Sequence, residues 1–276
     1  MQISLLLIFT GFFLGCIGTL IGAGGGFILV PILLIFYPEF PPETVTAISI
    51  AVVSANAISG SFAYKSSGRI DLKSGILFAV YTIPGSILGV LLVPYVPKSI
   101  FNVVFGILLL ILAAYLLFKQ SKKQTDVTNN MIQKRSTYRE IIDSNGEKFV
   151  FYFNKQKGIF ISLLVGFISP ILGIGGGIIH VPAMVNILGF PVFIATATSQ
   201  FILAIMATAS VFVHLFQGNY SDESIQKTIL FLVIGVIPGS QLGAKLSKMI
   251  KGQTVIKVLA VCLFLVGVRI LMKSFI

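Results

Sequence analysis

Residues 22–31 read GAGGGFILVP and residues 173–182 read GIGGGIIHVP, two glycine clusters set inside otherwise apolar stretches. Gly22, Gly24, Gly25, Gly26, Val30 and Pro31 recur as Gly173, Gly175, Gly176, Gly177, Val181 and Pro182, a constant shift of 151 positions. Such a run does not sustain a helix, because each glycine costs about 1 kcal/mol relative to alanine in a helix interior. In a bilayer a broken helix is tolerated only where the freed backbone is buried in protein or lines a cavity. Breaks at corresponding positions of two halves are the sequence mark of a transporter's binding site.

The rest of the chain reads as membrane protein. Apolar residues fill 56% of 276 positions and charged residues 11%, with a mean hydropathy of +0.99. All nine acids lie between apolar runs or at their edges, and so do most of the 20 Lys and Arg. A net charge of +11 could suggest nucleic acid. Here the cations sit in short loops beside long apolar spans, which is the positive-inside pattern, so no nucleic-acid partner is expected. Cys16 and Cys262 lie inside apolar segments with no metal or disulfide spacing and read as small core hydrophobes. The first residues lack a basic n-region and a small-residue cleavage site, so they read as a retained span.

Apolar runs fall at about 3–21, 26–37, 44–64, 74–94, 99–118, 159–172, 177–189, 194–217, 226–246 and 254–274. Runs of about 20 residues cross ~30 Å of hydrocarbon as helices. The pieces beside each glycine cluster are mostly shorter, so each pair is a re-entrant hairpin or two half-helices. The duplication extends further. Thr46, Ala47 and Ser49 recur as Thr196, Ala197 and Ser199, and Ile83-Pro84-Gly85-Ser86 recurs as Ile237-Pro238-Gly239-Ser240. Blocks repeated in one order mark an internal repeat. The expected fold is an all-α polytopic membrane protein of two homologous helical repeats, residues 1–118 and 159–276. Each has a glycine-broken pair and three long transmembrane helices.

Residues 119–158 join the halves and form the one sizeable polar segment. They carry nine Lys or Arg against four acids and should face the cytoplasm. Two β-prone stretches flank Ser144-Asn145-Gly146 and predict a small hairpin; a solvated connector is favoured over a docked lid. Lys65, Arg69 and Lys73 mark the loop after the third run as cytoplasmic. In the second half the basic loop moves one helix on, to Lys245, Lys248 and Lys251. That switch predicts inverted repeats with both termini outside, in a multi-pass protein of the cell membrane.

The glycine clusters admit two readings. One is close helix packing, to which Gly11, Gly15, Gly18 and Gly22 are suited. The other, favoured because the break is duplicated, is a mid-membrane bend whose free N–H groups, at the positive end of the following helix, bind an anion. A phosphate loop would need a following Gly-Lys-Ser/Thr, which is lacking. Thr46 and Ser49, and Thr196 and Ser199, lie one turn apart and read as neutral donors to an oxyanion. Asn56 and Gln200 are costly in lipid and should face a partner or a cavity. His180 reads either as a proton relay or as a neutral hydrogen-bonded core residue. The candidate substrate-binding set is therefore Gly22, Gly24, Gly25, Gly26, Thr46, Ser49, Asn56, Gly173, Gly175, Gly176, Gly177, His180, Thr196, Ser199 and Gln200. No nucleophile–base pair, metal-ligand cluster or redox motif stands in the sequence, so neither an enzyme nor a cofactor is expected.

At these residues the chain resembles the TauE/SafE family of membrane transporters, also called TSUP. The resemblance rests on the doubled GxGGGxxxVP, the Thr-Ala-x-Ser helices, the Pro-Gly-Ser pair and the basic linker with its Asn-Gly hairpin. It covers nearly the whole chain and implies transport of small anions such as sulfite, organosulfonates and related sulfur or carboxylate species, often outward. The expected partners are a small anion and the lipid bilayer; oligomeric state is left open. The alternative is a non-transporting assembly factor or sensor with the same duplicated fold.

Overall fold

A computed structural model describes residues 2–118, 136–247 and 252–274. Met1, Lys119, Lys122, Lys123, Asp126, Lys134, Arg135, Lys248, Lys251, Ile276 and the side chain of Cys262 lie outside the described residues. Among the described residues ten α-helices and one hairpin follow in order: α1 (Gln2–Ile21), α2 (Gly26–Phe36), α3 (Pro42–Lys65), α4 (Leu72–Leu92), α5 (Lys98–Phe118), β1 (Ser136–Ile142), β2 (Lys148–Asn154), α6 (Lys155–Leu172), α7 (Gly177–Asn186), α8 (Val192–Phe216), α9 (Glu223–Leu246) and α10 (Gly252–Ser274). Among the described residues seven helices are long and apolar enough to cross a membrane; α2, α7 and the stretch Leu263–Met272 of α10 are shorter apolar helices. The chain is an all-α polytopic membrane protein.

Polar residues at the edges of the apolar runs start the helices. Asp71 accepts a bond from the Ser74 N–H, Asn154 from Gln156 and Lys157, and Asp222 from Ser224, each a side-chain N-cap. Large apolar side chains such as Phe9, Phe13, Phe62 and Ile234 point outward, as lipid-facing residues do. The interior is built around Phe27, Leu29, Ile48, Phe101, Phe105, Ile174 and Ile178.

The helices pair in a repeating pattern. α1 packs on α9 as α6 packs on α4, α3 packs on α8, and α5 on α10. Small residues set the closest approaches, as expected where lipid leaves van der Waals contact to drive association. A Cβ on Gly235, Gly239 or Gly243 would lie 1.9, 2.1 or 2.2 Å from the carbonyl oxygens of Ile8, Phe12 and Cys16. Residue numbers rise together along that seam, so α1 and α9 run parallel. Gly85 and Gly89 meet Leu163 and Phe167 in the same way, and α4 runs parallel to α6. The central pair is opposite. Ser54 bonds to Thr208 while Asn56 and Gly60 meet Gln200, so α3 and α8 run antiparallel.

The breaks turn the chain back on itself. The N–H groups of Ala23 and Gly24 both donate to Gly18 O, at 2.7 and 3.1 Å. Gly25, at φ +82°, brings the start of α2 beside Leu14; only glycine takes that conformation cheaply. In the second half the Ile174 N–H donates to Ser169 O at 3.1 Å, and Gly176 stands at φ +78°. A long helix followed by a short returning one is thus built twice.

The hairpin differs from the expected solvated connector. β1 and β2 pair antiparallel, Ser136 opposite Asn154 through Ile142 opposite Lys148. Phe151 and Phe153 alternate inward and pack against Phe78 and Phe190. Asp143, in its turn, is buried against Arg69. Two buried aromatic rings and a buried ion pair outweigh solvation, so the segment docks on the helices.

Candidate functional site

The returning loops meet near the middle of the molecule. A Cβ on Gly26 would stand 2.5 Å from Gly173 O, and one on Gly177 would stand 2.1 Å from Gly22 O. Val53 of α3 and Leu203 of α8 wedge between Gly24 and Gly175. Each loop is also held by the opposite half: Ser49 Oγ donates to Gly173 O at 2.6 Å, and Ser199 Oγ to Gly22 O at 3.2 Å. These two hydroxyls, expected as donors to an oxyanion, hold the loops in this conformation. Thr46 and Thr196 bond back to the carbonyls of Glu43 and Val192 in their own helices.

Both short helices aim their N-termini into this region. The Ile28 and Leu29 N–H groups share Gly25 O, leaving those of Gly26 and Phe27 without a partner inside α2. α7 shares the acceptor pattern, with Ile179 and His180 donating to Gly176 O, but the Gly177 N–H is taken by Gly175 O at 3.0 Å, which leaves that of Ile178 without a partner inside α7. The dipole ends and unsatisfied N–H groups favour negative charge.

The surroundings of the two loops differ. Beside the first, Thr19 Oγ donates to Asn56 Oδ1 at 2.7 Å and accepts from Gln200 Nε2 at 3.3 Å. That leaves Asn56 Nδ2 and Gln200 Oε1 buried without a partner among the described residues. A Cβ on Gly18 would lie 2.4 Å from Gly25 N and 2.8 Å from Asn56 Nδ2, so an unpaired amide donor stands next to the loop. An unmet buried donor costs about 1–3 kcal/mol, which a ligand acceptor would recover. Beside the second loop lies a small cavity of about 10 Å³, lined by Gly175, Gly176, Gly177, His180, Ser199 and Met206 among others. His180 Nε2 lies 3.3 Å from Ser162 Oγ. All of the candidate residues are buried, so the site is closed to solvent.

Thr19, Ser162 and Ser169 were not singled out from the sequence; a lone Ser or Thr in an apolar run carries no signal of its own. The charged residues over the site were read only for orientation. Arg69 directs Nη2 at Asp143 Oδ2 at 2.9 Å, and Arg139 Nε lies 3.3 Å from Asp71 Oδ2. Burial works to raise the Asp143 carboxyl. Arg69 and the N–H groups of Glu147 and Asn145 outweigh it and hold the group below its ordinary range.

Comparison with known proteins agrees with this architecture. Residues 7–270 match the family described as Sulfite exporter TauE/SafE. The chain belongs to that family. It is 28% identical over 275 residues to a protein of Bacillus subtilis (strain 168) named probable membrane transporter protein YunE, covering 98% of this chain and 97% of that one. It is 27% identical to the probable membrane transporter protein MJ0441 of Methanocaldococcus jannaschii, covering 89% and 86%. A probable membrane transporter protein of Haemophilus influenzae is 25% identical, covering 98% and 97%. No solved structure matches the chain. Membership of this family makes the chain a membrane transporter.

Proposed function

We propose that this member of the TauE/SafE family carries small anions, sulfite and organosulfonates first among them, out of the cell across the cell membrane. The observation that carries the reading is the pair of buried glycine loops, each opening a short helix whose N-terminus faces the centre. Positive helix ends beside neutral donors suit an oxyanion, and the described span interiors hold no carboxylate to repel one. We further propose that residues 1–118 and 159–276 are inverted copies joined by the cytoplasmic segment 119–158. The antiparallel α3–α8 pair and the exchanged α1–α9 and α6–α4 contacts support this.

A substrate panel tests the assignment. Proteoliposomes preloaded with sulfite, taurine, isethionate, acetate or sulfate are assayed for release against protein-free vesicles. Fastest release of sulfite or a sulfonate supports the reading; release of none of the five refutes it.

A further inference from the structure

The hairpin is tied to the helices through a buried cation. Arg69, between α3 and α4, is the only buried Lys or Arg among the residues whose exposure is described. Its Nε and Nη2 both donate to one oxygen, Asp143 Oδ2, at 3.1 and 2.9 Å. The other carboxylate oxygen, Oδ1, accepts from the Asn145 and Glu147 N–H groups at 2.8 and 3.0 Å. The guanidinium lies 4.9 Å from the ring centroid of Phe193, in the first turn of α8. The same helix carries Thr198, which accepts the Asp71 N–H at 3.0 Å, and Ser199, which holds the first glycine loop.

Beneath the hairpin, Phe153 packs on Phe78, whose ring centroid lies 6.1 Å from that of His180 in the cavity lining. The rings of Phe153, Phe78 and His180 thus link the hairpin to the cavity lining. A guanidinium fork suits carboxylate, sulfonate and sulfite oxygens alike, because each offers paired acceptors at similar spacing.

We infer that Arg69 is a receiving site for small oxyanions on the path to the glycine loops, and that Asp143 occupies it as a built-in stand-in for the cargo. An arriving oxyanion takes over the guanidinium, Asp143 leaves with the hairpin, and the route to the cavity opens. When the anion moves on, Asp143 returns. The role in transport rests on the function proposed above; the binding event does not, and is measured separately.

The chain contains no tryptophan, so Phe153→Trp gives a single reporter of hairpin docking. The purified protein in detergent presents both faces to the probe, sodium methanesulfonate, at constant ionic strength with chloride as the control ion. The expected result is a saturable red shift of emission with methanesulfonate and none with chloride. Asp143→Asn weakens the competitor and should lower the half-saturating concentration about tenfold, roughly 1.4 kcal/mol. Arg69→Lys keeps the charge but loses the fork and should raise that concentration about tenfold. Arg69→Gln should be red-shifted from the outset and blind to the anion.

The inference is overturned if neither Phe153→Trp nor Phe151→Trp responds to methanesulfonate, or if the response persists in Arg69→Gln. A half-saturating concentration unchanged in Asp143→Asn overturns it too, since the ion pair would then only hold the hairpin. Flux in proteoliposomes with fixed emission would leave the transport proposal standing and remove this one. A specific emission response without flux would do the reverse.

Discussion

Gly26→Ala and Gly177→Ala each add one carbon at the contact between the loops. Neither glycine sits at positive φ, so alanine takes the backbone without strain and is the better helix former by up to about 1 kcal/mol. The steric effect is opposite. The new Cβ would lie 2.5 Å from Gly173 O and 2.8 Å from Val53 Cγ2 in the first variant. In the second it would lie 2.1 Å from Gly22 O and 2.6 Å from Ala23 Cα. Carbon contacts settle near ~3.5 Å, so the facing loop must retreat by about 1 Å. Overpacking of this kind costs ~1–3 kcal/mol. Net destabilisation is then about 0–2 kcal/mol, a few degrees in Tm. Positioning groups on a ligand is less forgiving, and a 1 Å displacement costs on the order of 100-fold. Initial rates of sulfite release from proteoliposomes, at matched protein content, should fall more than tenfold in Gly177→Ala and less in Gly26→Ala. Wild-type rates in both variants would refute the claim that the loop contact shapes the site.

Three further outcomes are expected. Single cysteines placed in a Cys16→Ser, Cys262→Ser background should react with an impermeant reagent from the cytoplasm when at residue 145 or 245 and from outside when beside either terminus; a C-terminal cysteine labelled only from inside contradicts the inverted topology. A potassium–valinomycin potential at equal pH should drive sulfite out, since an interior-negative potential favours exit of a monoanion by about 2.3 kcal/mol per 100 mV, and His180→Gln should retain that flux; loss of flux in the variant would make His180 a proton site. The Asp143 carboxyl is held low, so its ion pair is formed at neutral pH and lost only as pH falls through that depressed value. Emission of the Phe153→Trp protein should hold steady from about pH 8 to pH 5 and shift only below the ordinary aspartate range near ~3.9; a transition near neutrality contradicts that assignment.

The helices were legible because apolar length is written locally. The run at 26–37 became α2 over Gly26–Phe36, and the third run, at 44–64, became α3, which begins two residues earlier at Pro42, where the ring needs no N–H partner. The breaks at residues 22–25 and 173–176 were legible because glycine marks them in sequence. Their return direction was not, since it depends on Gly18 O capturing two N–H groups across the turn. The serine hydroxyls show the same limit: Ser49 and Ser199 bond to carbonyls 124 and 177 positions away, and no local spacing encodes that. In the hairpin, the β-prone stretches flanking Ser144-Asn145-Gly146 were legible, while the surface that receives it was not, since Phe78 lies on α4 and Phe190 in the loop between α7 and α8. Asn56 and Gln200 were expected to face a partner or a cavity; both bond to Thr19, and each keeps one buried atom unpaired among the described residues.

The most direct test of the account compares sulfite efflux through the wild-type protein and through Gly25→Leu and Gly176→Leu, each reconstituted at equal density. Both glycines stand at positive φ, and a Cβ at Gly25 would lie 2.8 Å from Leu14 O. A leucine there closes the approach to the first N–H groups of α2, as one at Gly176 does for the Ile178 N–H of α7. The account predicts saturable efflux from wild-type vesicles and background efflux from both variants, with all three proteins inserted and monodisperse. Efflux from the variants at the wild-type rate would contradict it.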